Sequence, residues 1–510
     1  MKKILISTIA VSALFFTVSC ENDFDTDVSN IQVTSGEANF SKFVSVGNSL
    51  TSGYRDGALY LDGQNESFPS MMAAQMKLAG GGDFKQPLMA DNLGGIKAVG
   101  LLDKLQLLVV NGALAPYRDS DPTKIMGTTT LANIFSAGPY QNMGVPGAKS
   151  FHLGVAGYGN AAGLQSGQAN PYFVRFASSP TASVIGDAAA QAPTFFSLWI
   201  GNNDVLSYAT SGGLGVDQTG NTNPATYGGN DITDPGVVGA VINGYVAALT
   251  ANGAKGVIAN IPNVTSIPYF TRVPYNPLTP ALVGANVPAL NGGLYGPLKQ
   301  ALTAFGAGDR INLLSATASN PLLIVDLSLT NLSAQLTAAL TPSLGAATAA
   351  AFGQIYGQAR QATSEDLILL PTSSVIGTTV PGVPASINVN GISYPLANQY
   401  VLTKTETAKV LTATAAYNAA IKAVADSKGL AFVDANAKMR ELSSASGIQF
   451  SGVKYTATFV TGGTFSLDGV HLTGRGYALI ANEFLKQINQ KYKSTLPMVN
   501  VNAYSGVTFP

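Results

Sequence analysis

The chain has 510 residues, room for roughly two or three average domains or for one domain with large insertions. Apolar residues make up 46% and charged residues only 11%, well under the roughly 25% charged content of ordinary soluble proteins. Lys+Arg and Asp+Glu balance at 28 each, so no basic excess is available to hold a phosphate backbone, which argues against nucleic acid as a partner.

Lys2 and Lys3 precede an apolar run from Ile4 to Val18, and the run closes in Thr17-Val18-Ser19-Cys20. A charged start followed by an apolar stretch too short to span a bilayer reads as an export signal over 1–20. The small residue before Cys20 resembles a bacterial lipoprotein cleavage site, which would leave Cys20 lipidated. An ordinary secretion signal is the alternative. Cys20 is the only cysteine, so its use as a lipid anchor leaves no thiol or disulfide chemistry. Glu21 to Asp27 and the polar residues after it read as an acidic flexible tether over 21–40. This stretch resembles the acidic tract of surface-exported lipoproteins of Bacteroides-like bacteria, with a plain solvated linker as the other reading. The expected location is the bacterial outer membrane, held by lipid. No later segment offers the ~18 uninterrupted apolar residues of a spanning helix.

Phe43-Val-Ser-Val-Gly47 reads as a buried strand, and Asn48-Ser49 as the turn that follows it. In open α/β sheets ligands sit at such strand ends. On this fragment alone Ser49 is either a nucleophile or a helix N-cap. Residues 55–135 read as an insertion with some helix, because Ile96 to Val110 has helical apolar spacing. Tyr140 to Lys149 is a short strand and a glycine-rich turn, and Thr194 to Asp204 a buried strand ending in Gly201-Asn-Asn-Asp204. Asn202, Asn203 and Asp204 either cap a helix or present an amide to a site. Trp199 belongs to the core. The polar loop at 211–233 lacks calcium-loop spacing, and no metal is expected there. Pro235 to Asn252 is helical and Val257 to Ile261 a strand. This alternation of strand and helix predicts a parallel sheet.

Between Tyr269 and Lys404 proline and glycine multiply, and helices are expected at 329–340 and 346–359. This segment reads as a second large insertion, too apolar to be disordered, serving as a lid or a partner surface. Glu406 to Ser427 is an amphipathic helix and Leu430 to Asp434 the last core strand. Asp468-Gly-Val-His471 then leads into a helix capped by Thr473. Residues 496–510 form a C-terminal tail.

The chain has two histidines, His152 and His471, and one of them would be the base for a serine nucleophile. His471 follows Asp468 by three residues, so one loop supplies an imidazole and a carboxylate to orient it. His152 has no acid within about five residues. Gly47-Asn-Ser-Leu50, Asn142 to Ala148, Gly201 to Asp204, and Asp468 to His471 together resemble the blocks of the SGNH/GDSL hydrolase family of esterases and lipases. Asn48 stands where that family's name has aspartate. Ser49 and His471 are 422 residues apart, about double the small family domain. The excess falls in the two insertions.

The resemblance implies an α/β fold, a three-layer α/β/α sandwich with a mainly parallel, flavodoxin-like sheet of about five strands. The resemblance covers the core segments, about half of the chain, and implies a hydrolase domain over 41–495 with insertions at about 55–135 and 269–404. It implies Ser49 as nucleophile, His471 as base and then acid, and Asp468 as its orienter. The oxyanion hole would be the backbone N–H groups of Ser49 and Gly147 and the side-chain amide of Asn203. Gly144 also matches the second block, but Gly147 aligns with the catalytic glycine. No metal or organic cofactor is required. The expected partner is a small-molecule or lipid ester, with an acetylated glycan as the alternative substrate. A surface binding lipoprotein that keeps the fold without catalysis is the alternative function.

Overall fold

A computed structural model describes residues 32–110 and 112–510. The export signal, Cys20 and the first part of the tether lie outside the described residues. The rest of the expected tether belongs to the folded body. Glu37 donates its N–H to Tyr492 O (2.7 Å), and Ala38 and Phe40 are buried in the main core. Apolar burial there outweighs the polar composition that had suggested a free linker.

Five strands form the central sheet: β1 (Phe43–Gly47), β2 (Asn142–Gly144), β3 (Phe195–Trp199), β4 (Lys255–Ala259) and β5 (Ala431–Val433). Their spatial order is 2-1-3-4-5 and every pairing is parallel. The strands are buried on both faces, so they appear as apolar runs rather than alternating ones. The exception is Ser45, whose hydroxyl accepts from Ser197 Oγ across the sheet (2.7 Å), so neither buried hydroxyl lacks a partner.

The chain crosses the sheet one way from β1 to β2 and the other way from β3 to β5. Right-handed crossovers therefore place α2 (Phe68–Leu78) on one face and α3 (Val184–Ala190), α5 (Pro235–Thr250) and α6 (Lys404–Ser427) on the other. The last helix, α7 (Gly474–Tyr492), joins α2. There Phe484 stacks on Phe68 at 4.9 Å, and both rings meet Trp199. Two short helices sit at strand ends: α1 (Ser49–Ser52) after β1 and α4 (Asn203–Thr210) after β3.

The region read as an insertion over 55–135 differs from expectation in two ways. It contains α2, whose Phe68, Met71, Met72 and Met76 belong to the main core, so α2 is the β1–β2 crossover itself. The run from 96 to 110 also holds no α-helix, only a single 3-10 turn at Lys97–Val99. Residues 94–117 form two antiparallel hairpins, Gly94–Ile96 with Leu101–Asp103 and Gln106–Val110 with Ala113–Tyr117. A short apolar run fits both periods, and the glycines that break it, with Val109 and Val110, favour strands.

Residues 269–404 carry a second apolar cluster that includes Leu278, Tyr295, Leu298, Ile324, Tyr356 and Leu396. The expected helices occur at Ser333–Leu344 and Ala346–Tyr356. This segment touches the Asp468–His471 loop through Tyr269, whose N–H donates to Gly469 O (2.9 Å). The C-terminal residues are packed as well: Leu496, Val499 and Val501 are in the main core. Ser505 Oγ accepts from Arg55 (2.8 Å).

Candidate active site

The C-terminal ends of β1, β2 and β3 converge at the point where the strand order reverses, the crevice where open α/β sheets hold ligands. β1 ends in Gly47, where a Cβ would overlap Trp199 O, so only glycine lets the turn close against β3. The next residue, Asn48, is the cap of α1. Its Oδ1 accepts from Leu50 N–H (3.1 Å), and its amide donates to Asn202 Oδ1 (3.2 Å). The N-cap reading of Ser49 therefore falls, because the cap is one residue earlier and leaves the serine hydroxyl free.

That hydroxyl faces His471, with Ser49 Oγ 2.9 Å from Nε2. On the other side of the ring, Nδ1 is 2.8 Å from Asp468 Oδ2. Asp468 accepts further hydrogen bonds from Gly57 N–H (2.9 Å), Val470 N–H (2.9 Å), His471 N–H (2.8 Å) and Ser466 Oγ (3.1 Å). Burial by itself would raise the Asp468 pKa. The adjacent imidazole and these donors outweigh burial and hold the carboxyl well below the usual range. Tyr54 packs on the imidazole with ring centroids 4.7 Å apart. This arrangement can take the Ser49 proton onto Nε2 while the carboxylate stabilises the resulting imidazolium.

The other histidine lies elsewhere. His152 Nδ1 accepts from Lys149 N–H (3.1 Å), and the ring stacks on Tyr158 at 5.1 Å. Burial, with Lys149 nearby, lowers its pKa to about 4.

Three donors come from the segments that end β1, β2 and β3: the N–H groups of Ser49 and Gly147 and the amide of Asn203. Among the described residues no protein oxygen accepts the Ser49 or Gly147 backbone N–H. Gly147 sits in an exposed turn at φ +79°, a conformation open to glycine and strained for other residues. Asn203 donates one amide hydrogen to Ala148 O (2.9 Å), which leaves the second free. Gly144, the other glycine of the second block, has its N–H committed to Asn142 Oδ1 (3.0 Å). The Gly147 turn is fixed from below by Asp204, which accepts from both Ser150 N–H and Ser150 Oγ at 2.8 Å. Burial raises the pKa of this carboxyl.

Sequence reasoning missed several contributors. Gly57 and Ser466 donate directly to Asp468. Asp56 donates its N–H to Ser466 Oγ (2.9 Å) and accepts Leu467 N–H (3.0 Å) on its carboxylate. Asp56 and Ser466 are 410 residues apart, and no local pattern marks such a contact. An apolar cavity of about 100 Å³ is lined by Leu50 and Val470, the chain neighbours of Ser49 and His471, with Trp199, Ile267, Met439 and Leu472 among others; Ser49, His471, Gly147 and Asn203 do not line it. Among the described residues no group of three or more His, Cys, Asp or Glu side chains could hold a metal ion. Compared with protein-family models, curated proteins and solved structures, the chain matches none.

Proposed function

We propose that the protein is a serine ester hydrolase of the SGNH/GDSL kind, which cleaves carboxylic esters through an acyl-enzyme. The observation that carries this reading is the pair of hydrogen bonds in which Asp468 accepts from His471 Nδ1 and His471 Nε2 accepts from Ser49 Oγ, the latter spanning 422 residues of chain. The strand order, with the serine directly after β1, agrees with that family's layout. Attack of Ser49 Oγ on the ester carbonyl forms the O–acyl bond as its proton moves to His471 Nε2. The oxyanion that develops is held by the N–H groups of Ser49 and Gly147 and by the free amide hydrogen of Asn203, each donor worth roughly 3 kcal/mol of barrier. His471 returns the proton to the leaving alcohol. Water then repeats the sequence on the acyl-enzyme and releases the acid.

The apolar cavity lined by Leu50 and Val470, the chain neighbours of Ser49 and His471, supports an apolar acyl chain over an acetylated glycan. Export and lipid anchoring at Cys20 belong to the same proposal and rest on residues 1–20. The test is a panel of p-nitrophenyl esters of increasing acyl length beside acetylated polysaccharides, with Ser49→Ala as control. Parent protein should hydrolyse the esters, and the variant should lose about 10⁴-fold or more in kcat at unchanged Tm. Equal activity in the two proteins rules the reading out.

A further inference from the structure

We propose that the hairpin formed by Gln106–Val110 and Ala113–Tyr117 seats the protein on a lipid bilayer surface. The five residue pairs of this ladder alternate between two faces. Val109 pairs with Leu114 on one face, and Leu108 and Tyr117 lie on the other. Both faces carry exposed apolar side chains: Val109 is 66% and Leu114 52% accessible, and Leu108 is 37% and Tyr117 47%, while Leu107, at the root of the Val109 face, is buried. A protein partner or a second copy of the chain would cover one face of such a ribbon. A hydrocarbon boundary immerses both, so the two-sided apolar surface selects lipid as the occupant.

The charge pattern agrees. From Lys104 to Arg118 the chain contains no carboxylate, and its two cations stand at the root of the hairpin, where an interface would place them. Tyr117 lies near the same level, a residue typical of the headgroup region. The free edges of a two-stranded ribbon still need water, so the insertion is shallow.

The root of the hairpin is bonded to the candidate site. Leu105 N–H donates to Asp56 O (2.8 Å) and Arg118 donates to Gly57 O (3.0 Å), next to the N–H that Gly57 gives Asp468. A bilayer met by the hairpin therefore lies beside the catalytic loop. Docking stands on the hairpin alone. Its corollary, that the ester is a membrane lipid, rests on the hydrolase reading.

The experiment uses the full chain with Cys20→Ser, which removes the only native thiol and its acylation. An environment-sensitive fluorophore is placed singly on Val109→Cys, Leu108→Cys or Lys428→Cys. The last position is exposed and precedes β5, at the opposite end of the sheet. With vesicles of phosphatidylcholine and phosphatidylglycerol, the labels at 108 and 109 should shift to the blue. Nitroxides on the acyl chains should quench both, and the label at 428 should not change. Absence of both shifts overturns the proposal. So does a shift at one face only, or a shift that needs protein concentration and no vesicles, because either result marks a protein interface.

Val109→Asp combined with Leu114→Asp should lower vesicle binding by at least about tenfold and leave p-nitrophenyl acetate hydrolysis unchanged. Hydrolysis of an ester embedded in the vesicle should fall with binding. Labels that insert in a protein with no esterase activity uphold docking and refute the hydrolase reading. Activity without insertion does the reverse.

Discussion

Asn48 and Asn203 show how much of the site depends on single amides. Asn48 caps α1 and reaches Asn202, so the turn holding Ser49 is tied to the start of α4. Asn203 spends one amide hydrogen on Ala148 O, and the second is the one that the proposed hydrolysis would place on the oxyanion. Replacing Asn203 with Ala removes both. Steady-state kinetics should show kcat reduced by about 10² to 10³, with KM nearly unchanged, since the lost bond belongs to the transition state. A large rise in KM at constant kcat would instead assign this amide to ground-state binding.

At the scale of elements, the site depends on how closely α1 approaches β2. A Cβ at Gly144 would overlap the backbone of Thr51 and Ser52 in α1, and backbone cannot step aside as a flexible side chain can. Gly144→Ala is therefore expected to destabilise the fold by about 1–3 kcal/mol and to slow catalysis by displacing Ser49. Chemical denaturation and kcat together check this. The same change at Gly147 meets no atom within 4 Å, and its cost comes from the positive φ alone. The stretch that sequence periodicity misassigned, 96–110, lies mostly at the surface, with Ile96 and Leu107 buried. With few core contacts, its short apolar run had little burial to separate helix from strand.

For the whole molecule, buried ionisable groups make stability depend on pH. Burial, with Lys149 nearby, lowers the His152 pKa to about 4 from its ordinary 6.5, so the folded state binds fewer protons than the unfolded state between these values. Its contribution to stability is complete above about 6.5 and is lost as pH falls toward 4, by about 3 kcal/mol. Denaturant titrations of the parent should follow that slope. His152→Gln, which keeps an acceptor for Lys149 N–H, should flatten it. A variant with the parent's slope would assign the acid sensitivity to other groups.

The residues of the candidate site were legible in the sequence because each block is short and local. A strand ending in Gly-Asn-Ser, a polar run after the Trp199 strand, and Asp-x-x-His before a helix each fall within a few residues, and the fold brings Ser49, His471 and Asp468 together. The parallel sheet and its strands followed from apolar runs alternating with helical ones. Tertiary structure decided what depends on distant partners. Among these are Asn48 as the cap, the donation of Gly57 and Ser466 to Asp468, the anchoring of the Gly147 turn by Asp204, and the burial of Ala38 and Phe40 and of Leu496, Val499 and Val501. Sequence spacing carries local geometry, whereas a hydrogen bond closed across 410 residues exists only once the sheet has brought its strand ends together.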